Sequence, residues 1–259
     1  MMSFKPGFNI KPLFSPLGFE YGEDCFGPEV ELRSLASIRP SLLDPTCKGP
    51  DPVYAIAMDV GKSIHKPFLE INNLLFGAVV YACGTLGNEP VRSQGHVHKK
   101  VRNNRLAPPE IYEIWSGTAI IYMQEADTDD PGRCFAVEAT TGEVVVVPPG
   151  WAHATISASK DEPLAFGAWC DRHYSFEYAG VRAHGGLAWF PVWQQGNIEW
   201  IANRKYKPSE LIQKKPGPVH RLGIKKGVPV YTIFEQDPES FLYVTQPEKK
   251  NEVWEDFEP

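Results

Sequence analysis

The segment GEVVVVPPGWAHATIS, residues 142–157, decides the reading of this chain. Four consecutive valines form a strand with no polar face, which predicts burial on both sides. Pro148, Pro149 and Gly150 supply the turn chemistry, and His153 opens the next run at the turn exit. Upstream stand two shorter segments, GHVHK (95–99) and PPEIYEIWSG (108–117). Residues i and i+2 of a strand share a face, so His96 and His98 can aim into one cavity. By the same rule Glu110, Tyr112 and Ile114 share a face of the strand EIYEIW. A lone histidine is ordinarily a surface or hydrogen-bonded residue. Three of the seven histidines fall in these segments with one glutamate, and that joint pattern predicts a mononuclear metal site of His96, His98, Glu110 and His153. Neutral imidazoles with one carboxylate suit Fe(II), Mn(II), Ni(II), Co(II) or Zn(II) and leave positions open for a ligand. No cysteine lies near enough to suggest structural zinc.

The surroundings are those of a β-rich globular protein. At 259 residues the chain can bury a full core, and 24 prolines and 22 glycines fit short strands joined by tight turns. A net charge of -6 argues against a general nucleic-acid binder. The five cysteines are odd in number and contain no CxxC pair, so a disulfide framework is not expected and a reducing, cytoplasmic setting is. No apolar run approaches the roughly 20 residues needed to span a bilayer, so no membrane partner is expected. The N-terminal MMSFKPGFNIKPLF lacks the apolar stretch of a secretory signal.

Three regions are expected along the chain. Residues 1–52 are Pro- and Gly-rich with weak periodicity and read as an irregular arm packing on a core, with one short helix near Leu32–Ile38. Residues 53–193 hold a succession of strand-like runs: VYAIAMDV, LLFGAVVYA, EIYEIW, AIIYMQ, CFAVEA, EVVVVP, ATISAS and LAFGAWC. That number of short strands predicts an antiparallel sandwich or barrel. Residues 194–259 form a C-terminal extension with a Lys-rich stretch, read as a solvated surface, and two further expected strands, VPVYTIF and FLYVTQ.

The metal segments resemble the two cupin motifs. The first stands here as His96, His98, Glu110 and Gly117, and the second as Gly142, Pro148, Gly150 and His153. Ser157 replaces an asparagine that often closes the second motif, and eleven residues separate His98 from Glu110, which implies an inserted loop. Within that superfamily, GHVHK, PEIYEIWSG, PPGWAH and EPLAFGAWC resemble the cupin-type glucose-6-phosphate isomerases over roughly residues 70–190. The resemblance implies an all-β cupin double-stranded β-helix, a jelly-roll-like barrel, with one divalent ion (Fe, Mn, Ni or Zn) on the four ligands. It implies a sugar-phosphate substrate, a homodimer paired through sheet edges, and substrate contacts from Ser93, Gly95, Tyr112 and Tyr178. Trp169 stands where the family has a tyrosine, Phe176 and Glu177 precede Tyr178 where the family has a histidine, and Gly77 or Ala78 replaces a phosphate-contacting threonine.

The implied activity is interconversion of glucose 6-phosphate and fructose 6-phosphate, a step of glycolysis and gluconeogenesis. Glu110 is the catalytic candidate for moving a proton between C1 and C2 through an enediol, with a metal-assisted hydride shift as the rival. A metal-dependent dioxygenase and a non-catalytic sugar-binding cupin are the alternatives from other classes. Arg92, Lys99, Lys100, Arg102 and Arg105 around the inserted loop are candidates for attracting a phosphate. Trp115 and Trp151 read as core, His173 as a surface histidine, and His65, His184 and His220 carry no partner signal.

Overall fold

The computed structural model describes residues 4–101, 104–173 and 176–259. Along the chain, β1 (Ile10–Phe14) and β2 (Leu17–Tyr21) make a hairpin, followed by β3 (Glu31–Arg33). Helix α1 (Leu35–Ile38) begins where the Ser34 hydroxyl accepts the Ser37 N–H at 3.3 Å. Next come β4 (Tyr54–Met58), α2 (Lys66–Ile71), β5 (Leu74–Tyr81) and the short β6 (Val97–His98). The central strands are β7 (Glu110–Ser116), β8 (Thr118–Gln124), β9 (Cys134–Thr140), β10 (Val144–Val147), β11 (Ala152–Ser157) and β12 (Ala165–Asp171). Then follow β13 (Phe176–Glu177), α3 (Ala179–Ala183), the hairpin β14 (Trp189–Gln194) and β15 (Asn197–Ala202), and β16 (Leu211–Lys214). The eight runs read as strands between residues 53 and 170 each overlap one.

Two sheets carry the fold. One is an antiparallel sheet of six strands in the order β10-β7-β12-β5-β4-β3, and the other has four in the order β11-β8-β9-β16. Strand alternation explains how they stack. Val79, Tyr81, Tyr112, Ile114, Phe166 and Ala168 of the first sheet meet Ile121, Met123, Phe135 and Val137 of the second in one buried cluster. Their neighbours in sequence, Phe76, Ala78, Ile111, Trp115, Ala165 and Trp169, point the other way into a second cluster. The outer side of the smaller sheet, through Tyr122, Ala136, Ala154 and Ile156, packs on Val181, Leu187 and Tyr206. The result is an all-β cupin sandwich covered on both outer faces.

The cover of the larger sheet comes from both ends of the chain. Phe8 and Ile10 join Tyr231, Phe234, Phe241 and Val244 over Trp115 and Trp169. Here the two expected strands are corrected: VPVYTIF contains helix α4 (Val230–Gln236), and FLYVTQ lies largely in a 3-10 helix, Pro238–Val244. Val230, Tyr231 and Phe234 are spaced i, i+1, i+4, so an apolar run that looks strand-like also presents one helical face. Tertiary partners decide the outcome. Glu113 on β7 accepts the Val230 N–H at 2.7 Å, satisfying an end donor of the helix, and the Tyr231 hydroxyl accepts the Lys62 N–H at 2.8 Å. Among the described residues no helix is long and apolar enough to cross a membrane.

Candidate metal centre

The Pro148–Gly150 turn carries the chain from β10 to β11, and Gly150 sits at φ +81°, a left-handed conformation that favours glycine. His153 is the second residue of β11 and faces the interior with Thr155. His96 pairs with it backbone to backbone: each residue's N–H donates to the other's carbonyl, at 3.0 and 2.9 Å. His98 follows two residues later at the end of β6. Glu110 opens β7, whose antiparallel pairing with β10 places it opposite Val147, just before the turn. Three separate stretches of chain therefore deliver four donors to one point.

The donor spacing fits a single ion. Glu110 Oε2 lies 2.9 Å from His153 Nε2, 3.3 Å from His98 Nε2 and 3.9 Å from His96 Nε2. The two Nε2 atoms of His96 and His98 are 3.1 Å apart, and all four ligand atoms lie within 4.8 Å of one another. Donors at about 2.1 Å from a common ion are about 3 Å apart when adjacent and about 4.2 Å when opposite, and the three Glu110 separations and the His96–His98 separation fall in that range. His153 Nδ1 lies 3.0 Å from the Trp151 carbonyl; with the proton there donated to that oxygen, the Nε2 lone pair faces the cluster.

Electrostatics favour the ligating forms. Burial holds His96 well below the usual histidine range, and the neighbouring His153 and His98 add to the effect, so the imidazole stays neutral. Burial alone would raise Glu110. The hydrogen bonds and charge of His153 and His98 outweigh it and hold the carboxyl well below its ordinary value. Tyr112 is held well above the ordinary phenol value, first by burial and then by the Glu110 carboxylate, so it remains a hydrogen-bond donor.

A pocket opens from the donors between the two sheets, and most of the residues expected at the substrate line it. Ser93, Gly95, Tyr112 and Tyr178 all do. Ser93 Oγ accepts the Thr155 N–H at 3.2 Å, and a Cβ on Gly95 would stand 2.8 Å from Leu187, which explains the glycine there. Phe176 packs its ring 4.5 Å from that of His96. Of the pair left open at the missing threonine, Gly77 lines the pocket, whereas Ala78 faces the outer cluster.

Trp169 is not brought to the pocket. Its neighbours Ala168 and Cys170 line the site, so strand alternation turns the indole to the opposite face. There it is fully buried against Phe76, Tyr231, Phe234 and Phe241, with ring centroids 4.5–5.7 Å away. Of the basic residues around the inserted loop, Arg92, Lys99, Lys100 and Arg105 do not line the pocket either. Arg92 is buried in an ion pair with Glu89 at 2.7 Å and bonds the Ser41 carbonyl, Lys99 pairs with Glu177, and Arg102 lies outside the described residues. Trp115 and Trp151 belong to the core, and the side chain of His173 is largely exposed beside Asp171.

Several lining residues were not anticipated: Arg33, Tyr54, Met58, Tyr81, Thr155 and Cys170. Alternation along YAIAM and LLFGAVVY puts Tyr54, Ile56 and Met58, and Gly77, Val79 and Tyr81, on single faces, a signal the sequence does contain. Arg33 has no such signal, since it lies in a segment without periodicity.

Two facing sheets, with three imidazoles and a carboxylate converging at one end of the space between them, define a cupin-type β-sandwich whose donors can hold a metal ion. The glucose-6-phosphate isomerase (GPI) family profile matches residues 42–210, and this chain belongs to that family. Glucose-6-phosphate isomerase of Thermococcus litoralis is 29% identical over 135 residues, 52% of this chain and 65% of the relative. That of Pyrococcus furiosus is 29% identical over 52% of this chain and 66% of its own. The chain thus spans just under two thirds of the length of these relatives. Among solved structures, a Bacillus subtilis oxalate decarboxylase superposes on 61% of the chain with a TM-score of 0.38 and 13% identity.

Proposed function

We propose that this chain is a metal-dependent aldose–ketose isomerase that interconverts glucose 6-phosphate and fructose 6-phosphate. The observation that carries the reading is the convergence of His96, His98, Glu110 and His153 on one point beside a pocket between the sheets whose lining includes the hydroxyl residues Ser93, Tyr112 and Tyr178. Fe, Mn, Ni or Zn suits this donor set, and when bound such an ion supplies Lewis-acid polarisation of the C1 and C2 oxygens of an open-chain sugar.

The chain's own groups do the rest. Glu110 is the carboxylate within reach of the reacting carbons and moves the proton between C1 and C2. Its strongly depressed proton affinity makes it a weak base, which keeps hydride transfer between the same carbons as the competing course. Tyr112, held protonated on the same face of β7, donates a hydrogen bond at this end of the pocket. Ser93, Gly95 and Tyr178 line the path of the sugar. Burial on both outer faces of the sandwich keeps water from the reacting atoms except through the pocket mouth.

The decisive experiment is a coupled assay with fructose 6-phosphate and glucose-6-phosphate dehydrogenase, after reconstitution with each of the four metals. NADPH formation is expected with at least one and none after chelation. Oxygen consumption without isomerisation would move the site to the dioxygenases, and sugar binding without turnover to the binding modules. Deuterium exchange from solvent into product separates the two courses: incorporation at C1 or C2 marks proton transfer. A homodimer is part of the same proposal, and a monomeric mass by light scattering at micromolar concentration would reject it. A reducing, cytoplasmic setting agrees with the five free cysteines.

A further inference from the structure

We propose that Arg33 receives the phosphoryl end of the substrate, so that the charged end of the sugar is recognised by the N-terminal segment rather than by the basic loop after His98. This deepens the isomerase reading and rests on it. Arg33 also lies outside the family match at residues 42–210, so the residue would be an addition of this chain to the shared sandwich.

Position is the first support. Arg33 ends β3, the edge of the six-stranded sheet, and its side chain lines the same pocket as His96, Glu110 and Tyr112. Among the described residues it is the one Lys or Arg side chain to do so. Three other cations near the site are engaged elsewhere. Arg92 is neutralised by Glu89, Lys99 by Glu177, and Arg182 stacks 5.0 Å over the Tyr178 ring while donating to Gln94.

Availability is the second. The Arg33 guanidinium meets Glu31 at 3.0 and 3.2 Å, which uses two of its five N–H donors. Glu31 is 60% exposed, so this pair is screened by water and contributes little. Three donors and nearly the full charge remain for an anion. That charge is already felt inside the pocket: burial raises the phenols of Tyr54 and Tyr178, and Arg33 opposes the rise at both.

Geometry is the third. Arg33 stands opposite Tyr54, and Tyr54 opposite Tyr81 on β5. At the metal end, Ile111 beside Glu110 stands opposite Trp169, and Trp169 opposite Phe76. From Phe76 to Tyr81 is five residues along β5, about 17 Å along the strands, and β7 and β3 are four strands apart across the sheet. Both residues nevertheless line one pocket, Arg33 from the edge strand and Glu110 from the donor cluster. With the donors at one part of the pocket and Arg33 at another, the lining suits a ligand with oxygens to coordinate at one end and a doubly charged group at the other. A guanidinium fork matches phosphate geometry with paired N–H bonds.

The test compares wild type, Arg33→Gln and Arg33→Lys, each reconstituted with the same divalent ion and checked for metal content and thermal midpoint. Arg33→Gln is expected to raise KM for fructose 6-phosphate by about ten- to a hundredfold with kcat within a few-fold, as loss of charged hydrogen bonds to a remote group would. Arg33→Lys is expected to recover part of that loss. Unchanged KM in both variants at unchanged metal content overturns the proposal. Should wild type show no isomerase activity, the functional reading falls by itself, and calorimetric binding of inorganic phosphate judges Arg33. Binding by wild type that is lost in Arg33→Gln and partly kept in Arg33→Lys supports the assignment. Equal binding by all three, or none by wild type, overturns it.

Discussion

Glu110 and Glu113 stand three residues apart on β7, both buried, and their carboxyls respond in opposite directions. Glu110 faces the space between the sheets, where the imidazoles of His153 and His98 hold it well below the ordinary carboxylate range. Glu113 faces the outer cluster, where burial pushes it up to about 7 although the Val230 N–H and the Trp115 indole N–H both donate to it. Two neutral donors do not offset desolvation, and partners that can share charge do. One strand thus carries a candidate ligand on one side and a structural clasp for the C-terminal helix on the other. The outer side exists because residues from both termini bury it.

Substitutions can break this contrast from either side. The largest effect is expected at the inner face: Glu110→Gln should lower activity by about a hundredfold or more, beyond what any change in metal content by elemental analysis explains. An enzyme with full metal and full turnover would remove Glu110 from the chemistry. His96→Ala should lower bound metal outright. On the outer face, Trp169→Ala should cost about 3–5 kcal/mol in denaturant unfolding, because it empties a site packed by four aromatic rings, while bound metal per folded molecule stays the same. Loss of metal at unchanged stability would return Trp169 to the pocket.

A smaller effect separates the two carboxyls by pH. The folded value of Glu113, about 7, lies above its ordinary 4.5, so the folded state holds the proton more tightly. Its contribution is fully present below about pH 4.5 and is lost as pH rises through about 7, by up to about 3 kcal/mol. Glu110 is shifted the other way, so its contribution is present above its ordinary value and lost only in acid. Between pH 5 and 8 the wild type should therefore lose stability relative to Glu113→Gln, and parallel curves would contradict the assignment. Smallest of all, Lys99→Ala should change KM by less than about twofold and stability by less than about 1 kcal/mol, since its exposed pair with Glu177 stands outside the pocket.

The inner side of this contrast was legible in the sequence because its information is local. The i, i+2 spacing of His96 and His98, the start of EIYEIW and the PPGWAH turn each place a donor within a few residues. The strands between residues 53 and 171 carried their own β-branched runs and turn residues. Errors came where distance along the chain decides. Trp169 was matched by likeness to a family tyrosine, yet a single position of strand parity sends it to the other face. VPVYTIF has the composition of a strand, and only Glu113 and Lys62, more than a hundred positions earlier, make the helix the better partner. Arg33 was invisible for the same reason: a short edge strand in a Pro- and Gly-rich stretch has no pattern until Tyr54 pairs with it.

The main-chain bridge between His96 and His153 has a consequence for how this protein handles ions. Two of its four candidate donors are tied by reciprocal backbone hydrogen bonds that involve no imidazole atom, and a third follows two residues behind the first. Their relative placement is therefore settled when the sheets form, whether or not a cation is present. A cation that binds here would meet donors already in place rather than fold them into place, and donor chemistry and supply would select it.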